Sequence, residues 1–172
     1  MEEILKSIDE IASRGQQEVV IPDGYTAIGG EAFRGCTSLE SVVIPEGVSR
    51  IGENAFEGCT SLARIEVASD NPVFCGIDGA LYSKDQTILL RVPGTIRSFQ
   101  VPKSVTKIGE YAFKGCTSLK SVVIPKSVSE IKWSTFEGCT SLESVSIPDS
   151  TCWDKNTFTN CPKLTITRRP SR

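Results

Sequence analysis

The amino-acid sequence predicts an α/β-type solenoid, a stack of short coils that each add one strand to a continuous sheet and a short helical or 3-10 segment opposite it. Three observations carry that expectation. The segments GCTSLESVVIPEGVSRIGENAF (35–56) and GCTSLKSVVIPKSVSEIKWSTF (115–136) differ mainly at polar positions. Phe33 to Phe56 and Phe113 to Phe136 are both steps of 23 residues, and Phe136 to Phe158 is a step of 22. Cys36, Cys59, Cys116, Cys139 and Cys161 repeat with the same steps, each followed three residues on by Leu39, Leu62, Leu119, Leu142 or Leu164. Such a period marks a repeat array, because one unit cannot bury its own apolar face whereas stacked neighbours can.

Within a unit, the strand comes first. In SVVIP, Val42 and Ile44 alternate with Ser41 and Val43, the period of a strand with one buried face. Proline then ends the strand, since it has no N–H for the next ladder bond. Ile21-Pro22, Ile44-Pro45, Val101-Pro102, Ile124-Pro125 and Ile147-Pro148 repeat that corner. Val48, Ile51, Ala55 and Phe56 come next as the inward residues of the return side. Between Val67 and Val101 the register breaks. There Leu81-Tyr82 and Ile88 to Arg91 flank the polar Ser-Lys-Asp-Gln, which predicts a β-hairpin thrown off the side of an enlarged repeat.

The ends need covers, because terminal coils expose core and strand edges. Ile4, Leu5, Ile8, Ile11 and Ala12 form one helical stripe, so an N-terminal capping helix is expected. At the other end Trp153 stands where Ile131 stands one coil earlier, as a core residue of a shortened last unit. The whole 172-residue chain reads as one domain: cap 1–15, repeats 16–67, irregular repeat with hairpin 68–97, repeats 98–166 and a loose basic tail 167–172.

Composition excludes several kinds of chemistry. There is no histidine, which removes serine and cysteine triads and histidine zinc ligands. No C-x-x-C pair, phosphate loop or calcium loop is present, so no metal, cofactor or catalytic residue is expected. The laddered cysteines read as small buried side chains that donate weakly to loop carbonyls. Cys75 and Cys152 lie outside the ladder, and Cys152 with Cys161 is a candidate pair.

The motif L-x-x-V-x-I-P-x-x-V-x-x-I-G-x-x-A-F-x-x-C, over roughly residues 18–166, resembles the BspA-like leucine-rich repeats, as does the hairpin DGALYSKD. The resemblance implies a leucine-rich-repeat fold, adhesion or protein binding, and a bacterial or protist surface or secreted location. It implies no shared catalytic residues. The opening fifteen residues lack the basic start and apolar core of a secretory signal. If Met1 is the natural start, a cytoplasmic protein is expected; if the chain is trimmed, a cell-surface or secreted one.

The expected function is a non-enzymatic interaction module that holds a protein partner on the outward sheet face. Alternation places Val20, Val43, Glu66, Gln100, Val123 and Ser146 on that face, flanked by Glu18, Ser41, Arg64, Ser98, Ser121 and Ser144. Trp133, whose counterparts are Glu53 and Glu110, is a further contact candidate. An alternative is polyanion or nucleic-acid binding by Lys103, Lys107, Lys120, Lys126 and the tail.

Charge is unevenly spread. Residues 1–70 hold 5 Lys/Arg against 13 Asp/Glu, and residues 71–172 hold 14 against 8, within a total of −2. Stacking turns that order into opposite poles, which favours weak head-to-tail contact of an otherwise monomeric protein. Exposed charges are screened beyond about 8–10 Å at ordinary ionic strength. Sedimentation velocity should therefore show self-association at about 20 mM salt that disappears near 300 mM; identical monomeric profiles would remove the charge split from any role in assembly.

Overall fold

A computed structural model describes residues 3–10 and 12–170. The chain winds as a β-solenoid with seven front strands, one for each coil face. These form two parallel sheets: Glu18–Val20, Ser41–Ile44 and Arg64–Val67, then Ser98–Gln100, Ser121–Val123, Ser144–Pro148 and Thr165–Arg169. Register obeys the repeat. Val19, Val42 and Ile65 pair in line and are buried, as are Phe99, Val122 and Val145 in the second sheet.

The return side departs from the sequence expectation. Short strands form a narrow back ribbon, in which Leu5 pairs with Ile28 and Ile28 with Ile51. Later, Leu89 pairs with Ile108 and Ile131 with Trp153. Each short strand leads into a series of tight turns, not helix; among the described residues only Ile8–Glu10 is helical, as one 3-10 turn. The cause is where the backbone donors go. Phe33 N–H donates to Ala55 O of the next coil at 2.8 Å and Gly35 N–H to Glu57 O at 2.7 Å. Phe113 to Thr135 (3.0 Å) and Phe136 to Thr157 (3.0 Å) repeat the pattern. An N–H spent on the neighbouring coil is lost to an intrahelical bond. Left-handed residues also punctuate each turn, for example Asn54 at φ 56 and Gly58 at φ 74, and these stop helix propagation.

The N-terminal capping helix is likewise corrected. Glu3–Leu5 adds to the ribbon beside Tyr25–Ile28, and Ile8 N–H donates to Ala32 O at 2.8 Å, in the manner of the coils below. The cap is thus one more coil, which satisfies the open edge directly. A lone helix of this length would be marginal in water. Leu5 and Ile8 are fully buried and Ile4 is 38% exposed; Ile11 lies outside the described residues. The basic tail is partly tied down too. Arg168 and Arg169 belong to the last strand, and Arg168 Nη1 donates to the carbonyls of Pro148, Asp149 and Thr151.

The expected single sheet is interrupted by the irregular repeat. Phe74–Ile77, Ala80–Ser83 and Ile88–Arg91 form an antiparallel meander. Its first turn is Asp78-Gly79, with φ of 49° and 81°, the pattern of a type I′ hairpin. The expected hairpin of Leu81-Tyr82 with Ile88 to Arg91 is present as the second and third strands of this meander. The preceding tip at Asp78-Gly79 lies against the first sheet, where Ile65 N–H donates to Gly79 O at 2.8 Å, and so covers the edge of Arg64–Val67. Only glycine fits at the tip, because a Cβ on Gly79 would stand 2.8 Å from Ala63 O. Asn71 anchors the approach. Its Nδ2 donates to Pro45 O and Val48 O, and its Oδ1 accepts from Val73 and Phe74 N–H.

One consequence is a shortened third turn. In regular coils five residues separate the ribbon residue from the laddered aromatic: Ile28 to Phe33, Ile51 to Phe56, Ile108 to Phe113, Ile131 to Phe136. In the third coil Leu89 occupies the ribbon position and Val92 the aromatic one, since Val92 N–H donates to Ala112 O at 2.8 Å; the interval is three. The stacked rings break at that point. Phe33 stacks on Phe56 at 5.2 Å, and Phe113, Phe136 and Phe158 stack at 4.6 and 5.1 Å. The core correspondingly forms two clusters that meet at the hairpin.

The cysteine ladder is reduced, and it is buried except at its last member, Cys161, which is half-buried. Cys36, Cys59, Cys116 and Cys139 are at most 3% exposed, and all seven thiols are free, Cys152 and Cys161 included. Each regular rung reaches back one coil: Cys59 Sγ donates to Phe33 O at 3.0 Å, Cys139 to Phe113 O at 3.0 Å and Cys161 to Phe136 O at 3.1 Å. Burial pushes the Cys59 thiol from its ordinary 9.0 up to about 12.

Loss of a laddered ring should be felt strongly. Phe56→Ala and Phe113→Ala should each lower stability by about 3–5 kcal/mol, as large-to-small core changes do; near-wild-type melting of either variant would refute the ring stack. For the thiols, native titration should label Cys152 readily and leave the four buried rungs unlabelled until denaturation. Because the folded pKa of Cys59 is raised, its contribution is complete below about pH 9 and is lost as pH rises toward 12. Thermal melts of wild type should fall more steeply over that window than those of Cys59→Ala.

Candidate functional site

The front face divides into two unlike halves. In the first sheet Glu18, Ser41 and Arg64 lie side by side, as do Val20, Val43 and Glu66. Here the polar candidates satisfy one another. Arg64 Nη2 donates to Glu18 Oε1 at 3.1 Å and Nε to Glu66 Oε1 at 2.7 Å. The first of these bridges passes over Ser41, the intervening strand's residue. Ser41, expected on the outward face, is accordingly buried to 4% exposure. Val20, on the edge strand, is 68% exposed.

In the second sheet the outward rows are Ser98, Ser121, Ser144 and Thr165, then Gln100, Val123, Ser146 and Thr167. Ser121 donates to Ser98 across 2.9 Å. Beside them lies a groove of about 410 Å³ lined by Gln100, Val101, Lys103, Val123, Pro125 and Lys126, with Arg169 at its end. Val123 is 36% exposed within it. Arg169 reaches across the strands and donates through Nη2 to Ile124 O and, at 3.4 Å, to Ser146 O. Its Nε is buried without a hydrogen-bond partner. Among the described residues no carboxylate lies within ion-pair distance of Lys103, Lys126 or Arg169. The groove therefore unites Gln100 and Val123 with Lys103 and Lys126, which sequence reasoning assigned to different hypotheses. Lys120 is ion-paired with Glu143 at 3.6 Å.

Trp133 sits apart, on the return side. It meets Tyr111 edge to face with ring centroids 5.2 Å apart, and Lys114 Nζ lies 5.1 Å from the Tyr111 ring. Trp133 is 45% exposed. Lys107 also lies on the return side, in the ribbon strand that pairs with Ile88–Arg91.

A second hollow occurs where the third turn is two residues short. It measures about 350 Å³ and is walled by Gly52–Phe56 on one side and Gly109–Tyr111 on the other. Phe74, Leu81, Ile88 and Leu90 complete an apolar lining. Arg91 crosses this seam, donating through Nη2 to Phe56 O at 3.2 Å and through Nη1 to Tyr111 O at 2.8 Å. Phe56 O is the acceptor that a cysteine of the following coil would use in a regular stack, so the guanidinium replaces a thiol rung. Sequence reading missed this hollow. Its signal was the interval between Leu89 and Val92, visible only once pairing identified which residues are equivalent.

Among the described residues no group of three or more Cys, Asp or Glu side chains could hold a metal ion, and no helix is long and apolar enough to cross a membrane.

Comparisons with known proteins agree on the architecture. The BspA type leucine rich repeat region matches residues 11–75 and 93–171 in six copies. No curated protein matches. The pneumococcal vaccine antigen PcpA is 24% identical with a TM-score of 0.65, over 88% of this chain and 51% of that one. A leucine rich cell surface protein from Faecalibacterium prausnitzii is 27% identical with a TM-score of 0.50, over 91% of this chain and 60% of that one. A leucine-rich repeat protein from Bacteroides ovatus is 25% identical with a TM-score of 0.50, over 90% of this chain and 43% of that one. The chain thus spans about half of these solved relatives, from 43% to 60%. The family match and the repeated coil together settle the classification: the chain belongs to the BspA type leucine-rich repeat family.

Proposed function

We propose that the protein is a non-catalytic protein-interaction or adhesion module whose partner lies along the C-terminal half of the front sheet. The observation that carries this reading is the groove in which exposed Val123 and Gln100 stand beside three cations without carboxylate partners. An apolar strip with a basic rim suits an extended segment that combines apolar and acidic side chains. Exposed strand positions filled by valine and serine leave a flat bed for such a segment, and the N-terminal half offers less, since its Arg64, Glu18 and Glu66 are already paired. Cell-surface exposure is the location most consistent with this use, given the surface protein among the similar structures.

Polyanion binding is a second reading, favoured by Lys103, Lys126 and Arg169 together. Salt separates the two. Phosphate-type contacts lose affinity steeply with ionic strength, whereas an apolar anchor does not.

The test uses surface extracts of the source organism and of cells it contacts, with binding read on immobilised protein. Val123→Asp and Lys126→Glu should each weaken capture of the partner by at least about tenfold, or about 1.4 kcal/mol, with unchanged melting because both side chains are exposed. Val20→Asp, in the other half, should leave capture intact. Capture that survives both groove variants would overturn the assignment, and capture lost to Lys126→Glu alone, with a steep salt slope, would favour the polyanion reading.

A further inference from the structure

The hollow at the seam calls for a ligand that the front face does not explain. We infer that it binds a small organic acid, a carboxylate carried on an aliphatic or aromatic body, with the body against the apolar wall and the anion on Arg91. The wall comes from Ile51, Phe56, Phe74, Leu81, Ile88 and Leu90. Its volume of about 350 Å³ falls within the range of small-molecule sites, roughly 300–1,000 Å³.

Arg91 supplies the polar end. Its Nη1 and Nη2 each donate to a backbone carbonyl, but its Nε is buried with no hydrogen-bond partner. Among the described residues no carboxylate is within ion-pair distance. Cys59 and Cys116 feel its charge, yet burial keeps both thiols protonated, so neither serves as counter-ion. A half-buried cation that balances its charge only against carbonyl dipoles is costly, and a bound carboxylate would remove that cost.

Asn54 on the same wall also has a buried side-chain oxygen without a partner. Its amide oxygen and nitrogen exchange places on a half-turn, so this wall can present either a donor or an acceptor. Lys107 and Lys132 stand at the rim with Glu53 and Glu110. The two glutamates are solvent-exposed, and Lys132 also contacts Glu130 at 3.6 Å. With Lys132 engaged by Glu130, Arg91 is the inner cation of the lining that has no carboxylate partner among the described residues.

The hollow is a product of chain length, which separates it from ordinary surface roughness. The hollow lies where the third turn has two residues fewer between its ribbon and aromatic positions than the regular coils. The Phe stack is also interrupted here, because Val92 stands at the aromatic position.

The experiment titrates the intact protein with hexanoate and, in parallel, with hexan-1-ol, monitoring methyl NMR shifts of Ile51, Ile88 and Leu90. Saturable shifts are expected with hexanoate below about 10 mM, with the alcohol at least about tenfold weaker. Arg91→Gln should abolish the preference for the acid, and Leu90→Trp, which fills the hollow, should abolish both responses. Absence of saturation with hexanoate, equal binding of acid and alcohol, or persistence of the preference in Arg91→Gln would each overturn the proposal. If Arg91→Gln fails to fold, the wild-type comparison of acid with alcohol decides alone. None of these outcomes bears on the front groove, whose variants leave the seam untouched.

Discussion

The regular turns of the return side give backbone N–H groups to the next coil, and most other features depend on that donation. A chain can satisfy its peptide groups within a helix or between neighbours, and here the neighbour wins. Once Phe33, Gly35 and their counterparts are committed across the coil boundary, the turn cannot wind into a helix. Rings are then held at one repeat spacing, and the thiol of each coil falls beneath the aromatic carbonyl of the one before. Cysteine is suited to that place: it is small, apolar and able to make a weak hydrogen bond to a carbonyl already used elsewhere.

Strand positions, core residues and the cysteine ladder were legible because each is stated five or six times along the chain. Val42, Leu39 and Phe56 need no individual reading when their equivalents recur at a fixed step. Val48, Ile51 and Ala55 point inward on the return side, and their spacings are shared by a helical face and by successive tight turns around a core. Periodicity counts which residues point inward and is silent on where their N–H groups are spent. The N-terminal stripe misled for the same reason, since Leu5 and Ile8 are inward in a strand-and-turn coil as readily as in a helix.

The candidate site was legible in outline only. Alternation put Gln100 and Val123 on the outward face, and composition singled out Lys103 and Lys126. Their convergence in one groove required the corner after each strand to be folded. What alternation could not show was competition among neighbours: Arg64 and Glu66 are as outward as Gln100, but they hold each other. Features that occur once, such as Arg91 and the shortened turn around it, lack the redundancy that made the remainder readable.

The division of the core into two clusters bears on how the molecule comes apart. In a quasi-one-dimensional stack the free energy of opening resides in the boundaries between units. Between the second and third coils a side-chain contact from Arg91 to Phe56 O takes the place of the thiol rung. Opening there would leave two shorter arrays, each with its own stacked rings. The boundary thus defines two candidate foldons within one stack, and whatever occupies the hollow beside Arg91 would act as a clasp on their joint cooperativity.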